Sequence, residues 1–180
     1  MTLIELLVVI AIMAVLTGIA VSFSKQSRDQ ILLTTEKAKI AQTIARVKSL
    51  TLAGYTKPVS QPAPCSYGFA IDYSSREYFI FEYIPPPPDD CSGIESITQI
   101  NTDSSYLRKI ENFLLPDGVN FNDAPGDKLS YLIFIPPNLT SHVFVNAGSK
   151  SNSALKIYLE TPDKSLTKEI IVHPNGQLTL

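Results

Sequence analysis

A chain of 180 residues, with 18% charged residues, a formal net charge of -2, 13 prolines and no tryptophan, has room for one long element and one compact domain of about 120 to 130 residues, a size that buries its own core. The near-balanced charge excludes a general electrostatic pull toward nucleic acid or anionic lipid. Two cysteines, Cys65 and Cys91, and two remote histidines, His142 and His173, exclude a four-ligand metal site of the usual spacing.

The amino terminus is the most apolar part of the chain. Met1 to Phe23 carries a single formal charge, Glu5. As a helix it would be roughly 35 Å long, enough to cross a hydrocarbon core of about 30 Å, so the segment predicts a membrane span. The rival reading is a secretory signal peptide, which needs a basic start and a small-x-small cleavage site. Here no Lys or Arg precedes Lys25 and the apolar run begins at once. An ionised carboxylate in lipid is costly enough to mark a functional position. For Glu5 the nearest cation is the α-amino group of residue 1, on the same helix or on a lengthwise-staggered neighbouring copy. A protonated Glu5 near the headgroups is the remaining alternative.

Beyond Phe23 the pattern becomes one-sided. Leu33, Ile40, Ile44, Val47 and Thr51 recur at spacings of seven, four, three and four, an amphipathic stripe. Lys25, Arg28, Glu36, Lys37, Lys39, Arg46 and Lys48 are assigned to the other surface, and no proline interrupts before Pro58. One helix from about 2 to 53 is expected, capped by Gly54. Its first half should meet lipid or other helices and its second half a sheet. Gly18, beside Thr17 and Ser22, is the expected weak point, because glycine costs nearly 1 kcal/mol in a helix interior.

Residues 54–64 read as a proline-containing crossover. Tyr67–Tyr73 and Glu77–Ile84 are aromatic and branched runs around Ser74-Ser75-Arg76, a β-hairpin signal. Pro85 to Pro88 end the second strand in a stiff corner. Residues 91–112 read as irregular or a surface loop. Further strands are expected at 114–115, 119–121, 129–135, 143–145, 155–160, 169–173 and 178–180, the last three punctuated by Pro162-Asp163 and Pro174-Asn175-Gly176. If this part lies outside the cell, a Cys65–Cys91 bridge is the favoured state, closing a loop of about 27 residues and contributing on the order of 3 kcal/mol. Two free buried thiols are the alternative.

No Gly-rich phosphate loop, His-x-x-x-His pair or Gly-x-Ser-x-Gly elbow occurs, so neither an enzyme nor a cofactor or metal site is expected. His142 and His173 read as surface strand-end residues, and Asn138-Leu-Thr140 as a chance sequon. The cations of the carboxy-terminal part are dispersed, with Arg108-Lys109 the adjacent pair. Nucleic acid would therefore bind only through repetition in a polymer.

Thr2-Leu-Ile-Glu5-Leu-Leu7 followed by Val8-Val-Ile-Ala-Ile12 resembles the mature amino terminus of class III signal substrates, the type IV pilins and pseudopilins. The resemblance implies an α+β fold: a long amino-terminal helix, membrane-spanning in residues 1–24 and amphipathic in residues 25–54, packed on an antiparallel β-sheet head of residues 55–180. It implies a structural subunit of a type IV pilus-like extracellular filament that polymerises through this helix. Its partners would be copies of itself in a helical filament, the prepilin peptidase, the pilus assembly machinery and, before assembly, membrane lipid. It would sit in a bacterial membrane by a single pass with the head outside, then in a pilus at the cell surface. Met1 would be the processed, N-methylated first residue in place of the usual Phe, and Glu5 would be required for assembly. Met1 as an initiator would mean no processing. Many pilins carry Pro at position 22, where this chain has Ser22, so any melting of the helix in a filament would fall to Gly18.

A second resemblance, to the H-type minor pseudopilins and FimT-like pilins, is carried by Ile44–Leu50, Tyr67-Gly-Phe, Leu132-Ile-Phe-Ile135 and His173-Pro-Asn-Gly176-Gln-Leu178. It implies an alternative role as a minor pseudopilin of a type II secretion system. A single-pass anchored surface domain that never polymerises and binds a ligand through its sheet is the rival from another class.

Overall fold

The computed structural model describes residues 3–55, 64–84, 91, 94, 97–100, 106–123, 126–136, 138–145 and 149–180, and for residues 20–24 and 55 the backbone alone. The 56–63 crossover and the Pro85–Pro88 corner lie outside the described residues.

Leucine, isoleucine, alanine and long charged residues without proline make one helix, α1, Leu3–Tyr55, of 53 residues, about 80 Å long. Its threonines do not break it. Thr17, Thr34, Thr43 and Thr51 each donate to the carbonyl four residues back. Leu33, Ile40, Ile44 and Val47 are fully buried and Thr51 nearly so, as the stripe predicts. Two readings of this helix need correction. Glu36, assigned to the solvent side, is only 2% exposed, because it stands three residues after Leu33 and four before Ile40, on the stripe itself. Gly54 is no cap, since the helix runs on to Tyr55. A Cβ at Gly54 would lie 2.6 Å from the Tyr67 ring, so glycine serves a close approach there.

Ten strands follow. They are β1 Ser66–Asp72, β2 Glu77–Tyr83, β3 Leu107–Leu114, β4 Asn120–Phe121, β5 Tyr131–Ile135, β6 Thr140–Val145, β7 Ser149–Ser151, β8 Leu155–Glu160, β9 Thr167–Val172 and β10 Leu178–Thr179. All ladder pairs are antiparallel, in a six-stranded sheet of order β3-β2-β1-β5-β6-β7 and a four-stranded sheet of order β10-β9-β8-β4. The expected β1–β2 hairpin forms. The Asp72 carboxylate accepts from the Ser74 and Ser75 amides in its turn, and Arg76, at φ 60, turns its guanidinium to donate to the Pro116 and Val119 carbonyls.

The helix packs on β1, β5, β8 and β9. One core therefore joins its stripe to Phe69, Ile80, Leu132 and Phe134 of the larger sheet and to Ile157, Leu159, Ile170 and Val172 of the smaller. A second core lies on the opposite face of the larger sheet, where Phe79, Phe81, Ile133, Ile135 and Phe144 meet Ile94, Ile100 and Leu107. The 91–112 stretch is thus not a surface loop. A sheet apolar on both faces needs two covers; this segment contributes to the second, then becomes β3. Cys65 and Cys91 are disulfide-bonded, with Cα atoms 5.2 Å apart, at the start of that cover. His142 is likewise no surface residue. It is 5% exposed on β6, with its ring edge-on to Phe144.

Candidate assembly surface

The first half of α1, apolar all round, stays uncovered among the described residues. Every large apolar side chain from Leu3 to Ile19 is exposed, Leu3 at 80% and Ile19 at 62%. A monomer rarely leaves so large a contiguous apolar surface bare unless it is an interaction site for protein or membrane. Among the described residues no helix is long and apolar enough to cross a membrane. The exposed run from 3 to 19 measures about 25 Å as a helix, against a core of about 30 Å.

Glu5 is the acidic residue of the first turn, where the positive end of the helix dipole favours a negative charge. Met1, the residue expected to supply the amine, lies outside the described residues. Gly18 continues the helix, and apart from the helix's own backbone and its chain neighbours nothing among the described residues lies within 4 Å of where its Cβ would be, so no contact described there requires glycine. Glu5 and Gly18 stand about 20 Å apart along the same bare rod. Of the residues singled out in the sequence, Cys65 and Cys91 are brought together.

The rod joins the head at Lys25, 4.0 Å from Asp163 in the β8–β9 turn. Hydrogen bonds from Thr161 and Ser165 hold the Asp163 carboxyl down to about 2. Further along, Arg46 clasps Glu111 of β3 through two hydrogen bonds, 2.5 and 2.8 Å. Lys48 donates to the Gly176 carbonyl at 2.6 Å and lies over the Phe134 ring. Between these contacts sits the residue that sequence reading misplaced, Glu36, whose carboxylate accepts from Lys39 at 2.5 Å. Tyr78 is close enough that burial first, and the Glu36 charge second, push its hydroxyl up to about 12. The signal for Glu36 was its spacing on the stripe. Among the described residues no cluster of three or more His, Cys, Asp or Glu could hold a metal.

No family model matches the chain and no curated protein matches it. Among solved structures it is similar to the minor pseudopilin EpsH from the Type 2 Secretion System of Vibrio cholerae, at 10% identity and a TM-score of 0.49, over 82% of this chain and 94% of that one.

Proposed function

We propose that this chain is a structural, non-catalytic subunit of a type IV pilin-like extracellular filament. One observation carries the reading: a single helix is locked to a folded head along residues 33–51 and bare and apolar along residues 3–19. In this reading residues 1–24 hold the subunit in the bacterial membrane, residues 25–54 fasten the head, and residues 55–180 form the filament surface. Polymerisation exchanges lipid contacts for helix contacts with other copies. Lipid tails are about as apolar as leucine, so close packing and polar pairing must bias the exchange. Glu5 paired with the N-methylated amine of Met1 on the neighbouring copy sets the axial register, a role for which buried charges are well suited.

A minor pseudopilin that initiates a short secretion pseudopilus is the second reading. The segments that resemble H-type subunits meet in space: Lys48 reaches Gly176 and Phe134, and Phe69 pairs with Leu132. Sheared filaments from the native host separate the two by stoichiometry, a dominant band marking a major subunit and a trace band a minor one. Glu5→Ala should leave the head's thermal midpoint unchanged and abolish incorporation. Parental incorporation of Glu5→Ala, with no unmodified competitor present, would sink the pairing, and a chain recovered only as monomer in membranes would leave the anchored binding domain standing.

A further inference from the structure

The stripe that fastens α1 to the head is nearly self-similar. Ile40, Ile44 and Val47 are branched aliphatics at spacings of four and three, so sliding the helix by one turn puts two of the three into the place of another branched aliphatic, while the third falls on the place of Thr51 in one direction and of Glu36 in the other. Thr43 and Thr51 donate their hydroxyls within the helix and would carry those bonds with them, although Thr43 would give up its side-chain hydrogen bond with Tyr78. Arg46, Lys39 and Lys48 have long side chains, Arg46 and Lys39 more than half exposed, that can follow a movement of about 5 Å. Glu36 differs. Its hydrogen bond from Lys39 lies within the helix and would travel too, but its carboxylate is nearly sealed from solvent beside the Tyr78 phenol of the head, and a one-turn slide in either direction would carry it into the site now filled by Leu33 or by Ile40, both fully buried among apolar side chains. A carboxylate moved from polar into wholly apolar surroundings loses solvation that nothing there replaces, and so is costly to misplace.

We infer that Glu36 is a positioning residue that fixes the axial register of α1 on the head, and through it the height at which the bare half projects. The consequence for assembly rests on the filament reading above. Helices that meet in a filament core at one level require heads at one level, so a subunit mixed between two registers is a poor one to add. The general physics is that a single buried polar group can select one alignment of an otherwise repetitive apolar seam, at some expense of stability.

The test uses the full chain, spin-labelled at Ala45→Cys on the exposed back of α1 and Lys168→Cys on β9, with the native cysteines kept in their disulfide. The parent and Glu36→Gln, which keeps a polar end, should give one interspin distance. Glu36→Leu should give two populations, with a thermal midpoint equal to or above the parent's and at least a tenfold loss of incorporation into filaments. A stability role alone would predict the opposite midpoint and no second distance. One parental distance in Glu36→Leu overturns the inference; so does failure of that variant to fold. If the distance splits but the parent never forms filaments, the register role stands and the filament reading falls.

Discussion

The two halves of α1 share one unbroken backbone and opposite surroundings. From Leu3 to Ile19 the described side chains are exposed on every side, whereas from Leu33 to Thr51 one stripe is sealed and the rest of the surface is polar or small. Helix propensity does not distinguish them; the arrangement of apolar residues around the axis does. A helix apolar all round is satisfied only by partners on every side, and a one-sided helix by a single sheet. Folding stability accordingly resides in the second half, and demand for other molecules in the first.

Charge insertion is the strongest way to break that comparison. Ile44→Asp places an unpaired carboxylate among fully buried side chains and should cost several kcal/mol, comparable to the whole stability of a domain. Ile10→Asp, on the bare half, should shift the head's stability by no more than about 0.5 kcal/mol. A chain lacking residues 1–24 should melt like the parent head, as a soluble monomer. Thermal melts decide all three, and an Ile44→Asp variant that melts like the parent, or an unfolded truncation, would erase the division of labour.

The larger sheet offers a second comparison, because its two faces are covered by different means: one by the helix, the other in part by residues between Cys91 and β3, anchored by the disulfide. Cys65→Ser should cost on the order of 3 kcal/mol and act unevenly. Amides of β3 and of the Ser149–Ser151 strand, which hydrogen-bonds Thr98 through Lys150, should exchange faster, while those of β8 and β9 keep their protection. Uniform loss of protection would mean that the two cores melt as one.

What the sequence disclosed follows the same physics. The stripe, the β1–β2 hairpin and the strands between 129 and 180 were legible because a period of 3.6 or 2 and strong turn residues mark them. Ser149–Ser151 was not, being three polar residues at a sheet edge with no alternation. The 91–112 stretch misled because Ile94, Ile97 and Ile100, although at helical spacing, stand among polar residues; their burial depends on a sheet face assembled from β1, β2, β5 and β6. Glu36 was missed because a charge is assigned to solvent by default, and only the spacing from Leu33 to Ile40 contradicted that. The resemblance at Thr2–Ile12 concerns a stretch whose large apolar side chains from Leu3 to Ile12 are exposed, so the packing of the head does not read it out.

A smaller effect sharpens the place where the docked half ends. Gly54→Ala would set a Cβ 2.6 Å from the Tyr67 ring, and the ring would have to move aside, at about 1 kcal/mol. Combining it with Tyr67→Ala should give a destabilisation less than the sum of the two single changes. Strict additivity in denaturant titrations would show that the close approach carries no energy.

The smallest effect is confined to alkaline solution and tests the docked interface through Tyr78. This residue is 2% exposed, stacked on Phe113 with ring centroids 5.1 Å apart, and its hydroxyl is raised from 10.0 to about 12 by burial and then by Glu36. A group whose pKa is raised on folding keeps its full contribution below the unfolded value and loses it as pH climbs through the folded one. Between pH 10 and about 12 the unfolded chain therefore releases a proton that the folded chain retains, and stability falls by at most about 1.4 kcal/mol per pH unit for this one group. Tyr73, buried and donating to the Leu129 carbonyl at 2.7 Å, is raised as well and adds its own loss, so the comparison must be made against Tyr78→Phe in the same background. Denaturant midpoints of parent and Tyr78→Phe should run parallel below pH 9 and converge or cross between pH 10 and 12, with the variant declining less steeply. Equal slopes in that window would mean that the phenol ionises as easily in the folded protein as outside it, and that the face of the helix carrying Glu36 and Thr43 is open to water.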